Sequence, residues 1–240
     1  METRFILLWF ESPLQSWGYD SKFGRRDTLD FPTKSGVLGL VLCALGASGE
    51  QQKLLARFAS LRQTVISYRH GNEKTTDPKL PFLHDFQMIG AGYRENSKWQ
   101  TLLIPKKSDG SKPVGGGTKL THRYYLQDAV FAVLLEVPAD LGEQIAYALQ
   151  HPVYDIYLGR KCCVPSEFVY QGLFDTLEST EAAALNRAKK RQDRKLYEEF
   201  RVIDGDSETG DAFTLNDVPV QFGTQKKYHD RRVTKIQKEH

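Results

Sequence analysis

The sequence predicts an α+β fold in which helices pack on one sheet and a single domain spans residues 1–240. Two apolar runs have the length of buried strands, each is followed by a helix pattern, and each helix pattern is followed by another strand-like segment. This β-α-β-β-α-β order is that of a ferredoxin-like, RRM-like fold, with one face for helices and one free for single-stranded RNA. Residues 71–117 interrupt the order as an insertion, and residues 181–240 extend it as a helix and short strands.

The first β-α-β unit begins with the unbroken apolar run Phe5–Phe10, which is typical of a strand buried on both faces. Residues 11–31 lose this periodicity and predict a long exposed loop with a functional role. The other predicted elements of this unit are a buried helix from Pro32 to Gly46, an amphipathic helix over residues 51–61, and a strand over residues 63–69.

The composition changes over residues 71–117. Four prolines and a run of three glycines, Gly115-Gly116-Gly117, accompany two short apolar patches at residues 82–89 and 99–104. We interpret this segment as an inserted β-rich arm with a basic tip, and not as an independent domain.

Regular patterns return in the second β-α-β unit and its extension. The predicted elements are strands over residues 119–126 and 129–137, an amphipathic helix over residues 140–149, a strand over residues 153–158, a highly charged helix over residues 181–200, and two short final strands over residues 218–222 and 228–236.

The formal net charge of +3 is small, but the cations are clustered over residues 103–127, 187–195 and 222–235. Clustered cations on a nearly neutral chain are what a polyanion-binding surface needs. They also occur on solvated loops and helix faces, so charge alone leaves both interpretations open.

Three cysteines, two of them the neighbours Cys162 and Cys163, do not make a disulfide framework, and no Cys/His ligand pattern predicts zinc. We therefore expect no metal and no cofactor. The N-terminus lacks the organisation of a signal peptide, and no apolar stretch is long enough to cross a bilayer. These features predict a cytoplasmic protein without a membrane partner.

The common catalytic motifs of zinc proteases, serine hydrolases and P-loop enzymes do not occur. His122 with Arg123 beside it could supply a general base and a cation for cleaving RNA at a 2′-hydroxyl. Alternatively, these residues form a polar strand end that contacts the RNA backbone without chemistry. We favour that alternative because no second acid or base stands at a recognisable spacing.

Single-stranded RNA is held by stacking on aromatic or guanidinium groups and by cations at its phosphates. The predicted helix N-terminus preceded by Thr33 and Lys34 is also a natural position for binding a phosphate. For Trp17, which follows the first predicted strand, two interpretations are open: a ring that stacks on RNA and a residue that anchors the core. The candidate residues are Gln15, Trp17, Arg25, Arg26, Lys34, Ser35, Lys119, His122, Arg123 and Tyr124.

Four segments of the chain form a recognisable set of motifs. They are SPLQSWG at residues 12–18, FPTKSGVLGL at residues 31–40, LTHRYYLQDA at residues 120–129 and YLGRKCC at residues 157–163. The first two resemble the N-terminal signature of the Cas five family of CRISPR-associated proteins, and the last two are similar to its type I-E branch. The resemblance covers most of the chain, with the motifs in the family order.

The resemblance implies a ferredoxin-like body of the RAMP superfamily carrying a β-hairpin thumb, here residues 71–117. It also implies a subunit that binds the 5′ handle of CRISPR RNA (crRNA) and caps the backbone of a Cascade complex. The implied partners are the crRNA handle, the Cascade backbone subunit, the Cascade large subunit, and target DNA near the protospacer-adjacent motif. The implied handle-contacting residues are Gln15, Trp17, Lys34, Ser35, His122, Arg123, Tyr124, Arg160 and Lys161.

One branch of this family, type I-C, is an endoribonuclease that uses a tyrosine before the first helix with a lysine and a histidine. Here Thr28-Leu29-Asp30-Phe31 contains no tyrosine, and His122 follows Thr121 instead of a lysine. The resemblance therefore implies a non-catalytic subunit. The alternatives are a metal-independent endoribonuclease that matures repeat RNA, and a basic protein–protein adaptor.

Overall fold

The computed structural model describes residues 2–19, 21, 24–71, 77–89, 107–111, 119–191 and 195–238. The strands are β1 Thr3–Gln15, β2 Arg25–Arg26, β3 Gln63–Gly71, β4 Leu83–Ile89, β5 Lys119–Pro138, β6 Tyr170–Phe174, β7 Lys195–Asp204, β8 Asp211–Gln221 and β9 Lys227–Gln237. The helices are α1 Lys34–Ala44, α2 Gln52–Ala56, α3 Ala139–Gln150 and α4 Leu177–Lys190.

The protein is an α+β structure built on a large antiparallel sheet. Its main strands follow the order β6-β1-β5-β3-β7-β9-β8, and every neighbouring pair in this order is antiparallel. The two short strands β2 and β4 pair with β5 outside this order, β2 in parallel and β4 antiparallel. Strands β1, β3 and β5, which fall within the two predicted β-α-β units, lie next to one another, and β6, which was not predicted, lies beside β1.

Strand β1 is buried on both faces, as its apolar run predicts. Because successive side chains of a strand point to opposite faces, Leu8 and Phe10 pack with α1, α2 and α3, while Leu7 and Trp9 pack with α4. The expectation of a free sheet face is therefore wrong for the centre of the sheet. The small residues Ala184 and Ala188 of α4 are buried there and allow the helix to lie close to the strands.

Helix α1 begins and ends where its sequence signals predict. The Thr33 side chain accepts a hydrogen bond from the Gly36 N–H at 3.2 Å, which satisfies one of the free donors of the first turn. Gly46 follows the helix with a positive φ of 70°. The second predicted helix is shorter, because α2 ends at Ala56 and turns occupy residues 57–60.

The segments predicted as separate strands over residues 119–126 and 129–137 form one strand of 20 residues, β5. Its second half pairs with β1 and β3 inside the sheet. Its first half pairs with β4 and β2, and we call this part, residues 83–89 with residues 119–125, the β4–β5 ribbon. The predicted apolar patch at residues 99–104 and the glycine run Gly115-Gly116-Gly117 lie outside the described residues.

Two predicted elements are wrong. Residues 153–158 form bends and irregular backbone instead of a strand, because Val153 bonds to the end of α1 and Leu158 to Cys163. Strand β6 follows instead at residues 170–174. The charged helix ends at Lys190, and residues 195–204 form β7 between β3 and β9. None of the described helices is long and apolar enough to cross a membrane.

Candidate nucleic-acid interface

Gln15 and Trp17 lie inside the protein. The Gln15 amide donates to the carbonyl groups of Phe10 and Ala129 at 3.2 and 2.7 Å and accepts from Trp17 Nε1 at 3.2 Å. The Trp17 ring stacks on Phe10 with 5.2 Å between ring centroids. Of the two interpretations of Trp17, the structure matches the core anchor. Buried side chains with internal partners are not available to a strand at the surface, so we interpret both as residues that shape the loop.

Lys34 is also buried, which corrects its interpretation as a phosphate contact. Its amine donates to the carbonyl oxygens of Ala59 and Leu61, at the end of the turns that follow α2. Its backbone N–H donates to Asp217 Oδ2 at 2.7 Å. Burial lowers the pKa of the Lys34 amine below its ordinary value, although nearby carboxylates, Asp204 first among them, act in the opposite direction.

The lowered pKa of Lys34 predicts a pH dependence of stability. Between the native pKa and the unfolded value the unfolded chain binds more protons, so the free energy of unfolding rises with pH through that window. Lys34→Met removes this contribution. We expect the free energy of unfolding of the wild type, relative to that of Lys34→Met, to rise with pH until the pH reaches about 10, the unfolded value for lysine. Urea unfolding at several pH values measures it, and a constant difference would contradict the assignment.

A surface groove of about 660 Å³ lies where the loop after β1, the start of α1, the loop 157–161 and the β8–β9 hairpin meet. Its lining residues are Ser16, Gly18, Tyr19, Ser21, Arg26, Asp27, Ser35, Gly159, Arg160, Asn216, Asp217, Lys226 and Tyr228. A second depression of about 500 Å³ over α1 shares Ser16, Gly18, Ser35, Gly159, Lys226 and Tyr228 with it. We call the first depression the cationic groove.

The segments that meet at the cationic groove are tied together by direct bonds. Ser16 N donates to Leu158 O at 3.1 Å, and the Ser16 hydroxyl donates to Tyr124 O at 3.3 Å. The Arg160 guanidinium donates to Tyr124 O at 3.2 Å and to Arg26 O at 2.9 Å. It also lies 4.5 Å from the centre of the Tyr125 ring. Residues far apart in the chain are therefore held at one place on the surface.

The acidic residues of the groove are already neutralised. Asp27 accepts from Arg25 Nε at 2.9 Å, and Asp217 accepts from Arg231 at 2.7 and 2.9 Å. The cations Arg26 and Lys226 are exposed, and Lys161, next to Arg160 in the chain, is exposed as well. Because the carboxylates have their own partners, the groove presents a net positive charge to a ligand.

His122 and Tyr124 lie beyond the groove on the β4–β5 ribbon. His122 Nδ1 lies 3.0 Å from His84 Nε2, the Tyr124 ring stacks on His84 at 4.6 Å, and the Arg25 guanidinium lies 5.0 Å from the centre of the Tyr124 ring. Arg123 is opposite Asp85 in the register. Lys119 begins β5 opposite Ile89, and its side chain is outside the described residues.

Four further residues were not predicted. Lys226 and Tyr228 line the groove, and His84 and Phe86 face His122 and Tyr124 across the ribbon. The clustered cations over residues 222–235 were the available signal for the first pair. Alternation of His84, Phe86 and Met88 within an apolar patch was the signal for the second. Within the described parts of the chain, no group of three or more His, Cys, Asp or Glu side chains could hold a metal ion.

Comparisons with known proteins assign the chain to a family. Residues 5–234 match the sequence model of the CRISPR-associated protein (Cas_Cas5) family, so the chain belongs to this family. Within it, the chain is similar to the CRISPR system Cascade subunit CasD of Escherichia coli, with 28% identity over 162 residues. That match spans 66% of this chain and 66% of the relative, slightly less than two thirds of the relative's length.

Two solved structures resemble almost the whole chain. One is described as a CRISPR RNA-guided surveillance complex, with a TM-score of 0.70 and 25% identity over 97% of this chain and 89% of the other. The second is described as the crystal structure of a Cas protein, with a TM-score of 0.56 and 26% identity over 96% of this chain and 93% of the other. The similarity therefore extends beyond the 162 residues of the sequence match.

Proposed function

We propose that this chain is a non-catalytic subunit of a type I-E CRISPR surveillance complex, in which it binds the 5′ handle of the crRNA and caps the backbone. The observation that carries the proposal is the meeting of distant segments at one cationic groove. Ser16, Gly18, Arg26, Ser35, Gly159 and Arg160 contribute to it, and all of these except Arg26 belong to the four motifs that resemble the family. A net positive concave surface suits the phosphates of a single strand.

The architecture supports the same proposal. We interpret β1, β3, β5 and β6 with α1 and α3 as a ferredoxin-like body in one domain spanning residues 1–240. Residues 71–117 are the proposed thumb, and residues 181–240 are the proposed extension, now with α4, β7, β8 and β9 in place of the predicted elements. The proposed partners are the crRNA, the Cascade backbone subunit, the Cascade large subunit, and target DNA near the protospacer-adjacent motif.

The proposal predicts a salt-dependent affinity for the repeat-derived 5′ segment of the crRNA. Lys161→Ala and Lys226→Ala remove exposed cations at or beside the groove. Each is expected to weaken binding and to reduce the slope of log affinity against log salt by about 0.7, the contribution of one phosphate contact on a single strand. Fluorescence anisotropy at several salt concentrations measures both quantities.

Lys189→Ala is the matched control, because this exposed lysine lies on α4, which packs on the other side of the sheet. It should change neither the affinity nor the salt slope. An equal effect of all three substitutions would point to nonspecific attraction, and RNA binding that is insensitive to Lys161 and Lys226 would place the strand elsewhere.

A second function, metal-independent cleavage of repeat RNA, has one observation in its favour. His84 and His122 lie 3.0 Å apart and provide two imidazoles, which can act as acid and base. Their mutual hydrogen bond occupies one ring nitrogen of each, and we favour binding without cleavage. Incubation of the purified protein with repeat RNA in EDTA should leave the RNA intact. A discrete product that disappears with His122→Ala would establish the enzyme instead.

A further inference from the structure

The β4–β5 ribbon carries an exposed row of aromatic and apolar side chains. Directly opposed residues of an antiparallel pair share a face, so the register places three pairs together: His84 with Tyr124, Phe86 with His122, and Met88 with Leu120. Phe86, Met88 and Leu120 are 52%, 55% and 49% exposed. A contiguous apolar surface of this kind on a soluble protein marks an interaction site.

The rings of this row are already arranged for stacking. The His84 and Tyr124 rings are nearly parallel, with an angle of 4° between their planes and 4.6 Å between centroids. His84 and His122 are also nearly parallel, at 11°, and the 3.0 Å contact between their nitrogens holds them in place. Phe86 belongs to the middle pair of the row, and its ring lies 5.0 Å from the His122 ring with an angle of 43° between their planes. A preformed arrangement lowers the entropy lost when a ligand binds.

The charges around the row favour a nucleic acid over a protein. The two arginines of β2 lie on different surfaces. The Arg25 guanidinium lies over the Tyr124 ring on this face, and Arg26 lines the cationic groove. The backbones of Arg26 and Tyr124 are joined through Arg160, which bonds to both carbonyl groups. An RNA strand whose phosphates bind in the groove can therefore continue along this aromatic surface.

We propose that this face of the β4–β5 ribbon is a base-stacking site, in which an unpaired base of the bound RNA stacks on the exposed Phe86 ring, beside His122. The inference rests on the proposed function, since it assumes that RNA occupies the groove, and it adds His84 and Phe86 to the binding residues. Stacking is tolerant of sequence because every base has a π-face, so the site takes an unpaired nucleobase without reading its identity.

The test uses the full chain and the repeat-derived 5′ segment of the crRNA, with 2-aminopurine placed at each position in turn. At one or two positions the wild type should quench the fluorescence on binding, and Phe86→Ala should remove the quenching. The affinity of Phe86→Ala should fall by about 10-fold, the usual effect of losing one stacking partner. Its salt slope should not change, because no charge has been removed.

Two variants serve as controls. Phe86→Trp keeps an aromatic ring and should retain quenching and affinity. Gln87→Ala changes the next residue of β4, whose side chain points to the opposite face of the ribbon, and should behave as the wild type. Unchanged unfolding temperatures of all three variants exclude loss of folding as the cause.

The outcomes separate this inference from the function on which it rests. If the wild type does not bind the RNA, the proposed function fails and the stacking site with it. If Lys161→Ala and Lys226→Ala weaken binding while Phe86→Ala does not, RNA binding in the groove is supported and the stacking site is overturned. If Phe86→Ala leaves RNA affinity unchanged but prevents assembly with the other subunits, the face is a protein-docking surface, which also overturns the inference.

Discussion

Gly159→Ala is expected to destabilise the protein by about 3 kcal/mol and to weaken RNA binding at the same time. Gly159 has a φ of +98°, where a side chain is strained, and an added Cβ would lie 1.7 Å from the Ser16 carbonyl oxygen. Backbone atoms cannot rotate away as a flexible side chain does. The loop 157–161 must therefore move, and the 3.1 Å bond between Ser16 N and Leu158 O breaks.

The expected loss of RNA affinity follows from the two residues that come after Gly159 in the chain. Arg160 and Lys161 come next in the chain, and Arg160 bonds to Tyr124 O and Arg26 O from this loop. A displaced loop removes these cations from their positions in and beside the groove. Urea unfolding and anisotropy with the crRNA 5′ segment measure the two losses.

Gly205→Ala is the control for backbone strain. Gly205 has a similar φ of +91°, but no atom lies within 4 Å of an added Cβ. Strain alone should cost about 1–2 kcal/mol, and RNA affinity should not change. Equal destabilisation by the two substitutions would show that the contact with Ser16 does not constrain the loop.

The elements that the sequence predicted correctly are those whose signals are local. The apolar run Phe5–Phe10 indicates two-sided burial by itself, and Thr33 and Gly46 mark the ends of α1 within a few residues. Such signals depend on side chains that are close in the chain. They suffice for the sheet centre and its first helix.

The incorrect predictions concern residues whose surroundings come from distant segments. Residues 195–204 contain Glu198, Glu199 and Arg201, which favour helices, but pairing with β3 and β9 makes this segment a strand. From the sequence, Lys34 is expected at the surface, because its side chain is charged. Its partners are carbonyl groups at residues 59 and 61 and a carboxylate at residue 217, and no local pattern brings these to it.

The candidate site shows the same division. The motifs predicted which segments form the site, and the structure brings several of these segments to one groove. Within the motifs, the sequence did not separate side chains that face the groove from those that hold it in shape, as Ser35 and Gln15 illustrate. That distinction depends on which side of a loop each residue occupies, and folding of the whole chain decides it.

The largest loss of stability is expected from Arg231→Met, at about 3–5 kcal/mol. The Arg231 side chain is only 9% exposed and bonds to Asp217 at 2.7 and 2.9 Å and also to Asp204. Removing the guanidinium leaves the buried Asp217 carboxylate without its main counterion. An uncompensated buried charge costs far more than the net contribution of an ion pair.

Arg232→Met is the matched control one residue along the same strand. The Arg232 side chain is 50% exposed, and the side chain of its partner Asp206 is 66% exposed. An exposed ion pair contributes about 0–1 kcal/mol, so urea unfolding should separate the two variants clearly. Comparable losses from both would mean that the pair with Asp217 is not shielded from water. Arg231→Met combined with Asp217→Asn should recover part of the loss, because the most deeply buried unpaired charge is then removed and only Asp204, whose side chain is 22% exposed, still lacks its arginine partner.

Asp217 also connects this ion pair to the proposed RNA site. It lies at a β-bulge between Asn216 and Val218, lines the cationic groove, and accepts a bond from the Lys34 N–H at the start of α1. A bulge redirects a side chain, and here it brings a carboxylate to a helix N-terminus. Without Arg231 that carboxylate is an unneutralised anion in the groove. Arg231→Met should therefore weaken RNA binding even under conditions where it remains folded, and the Asp217→Asn combination should restore the affinity.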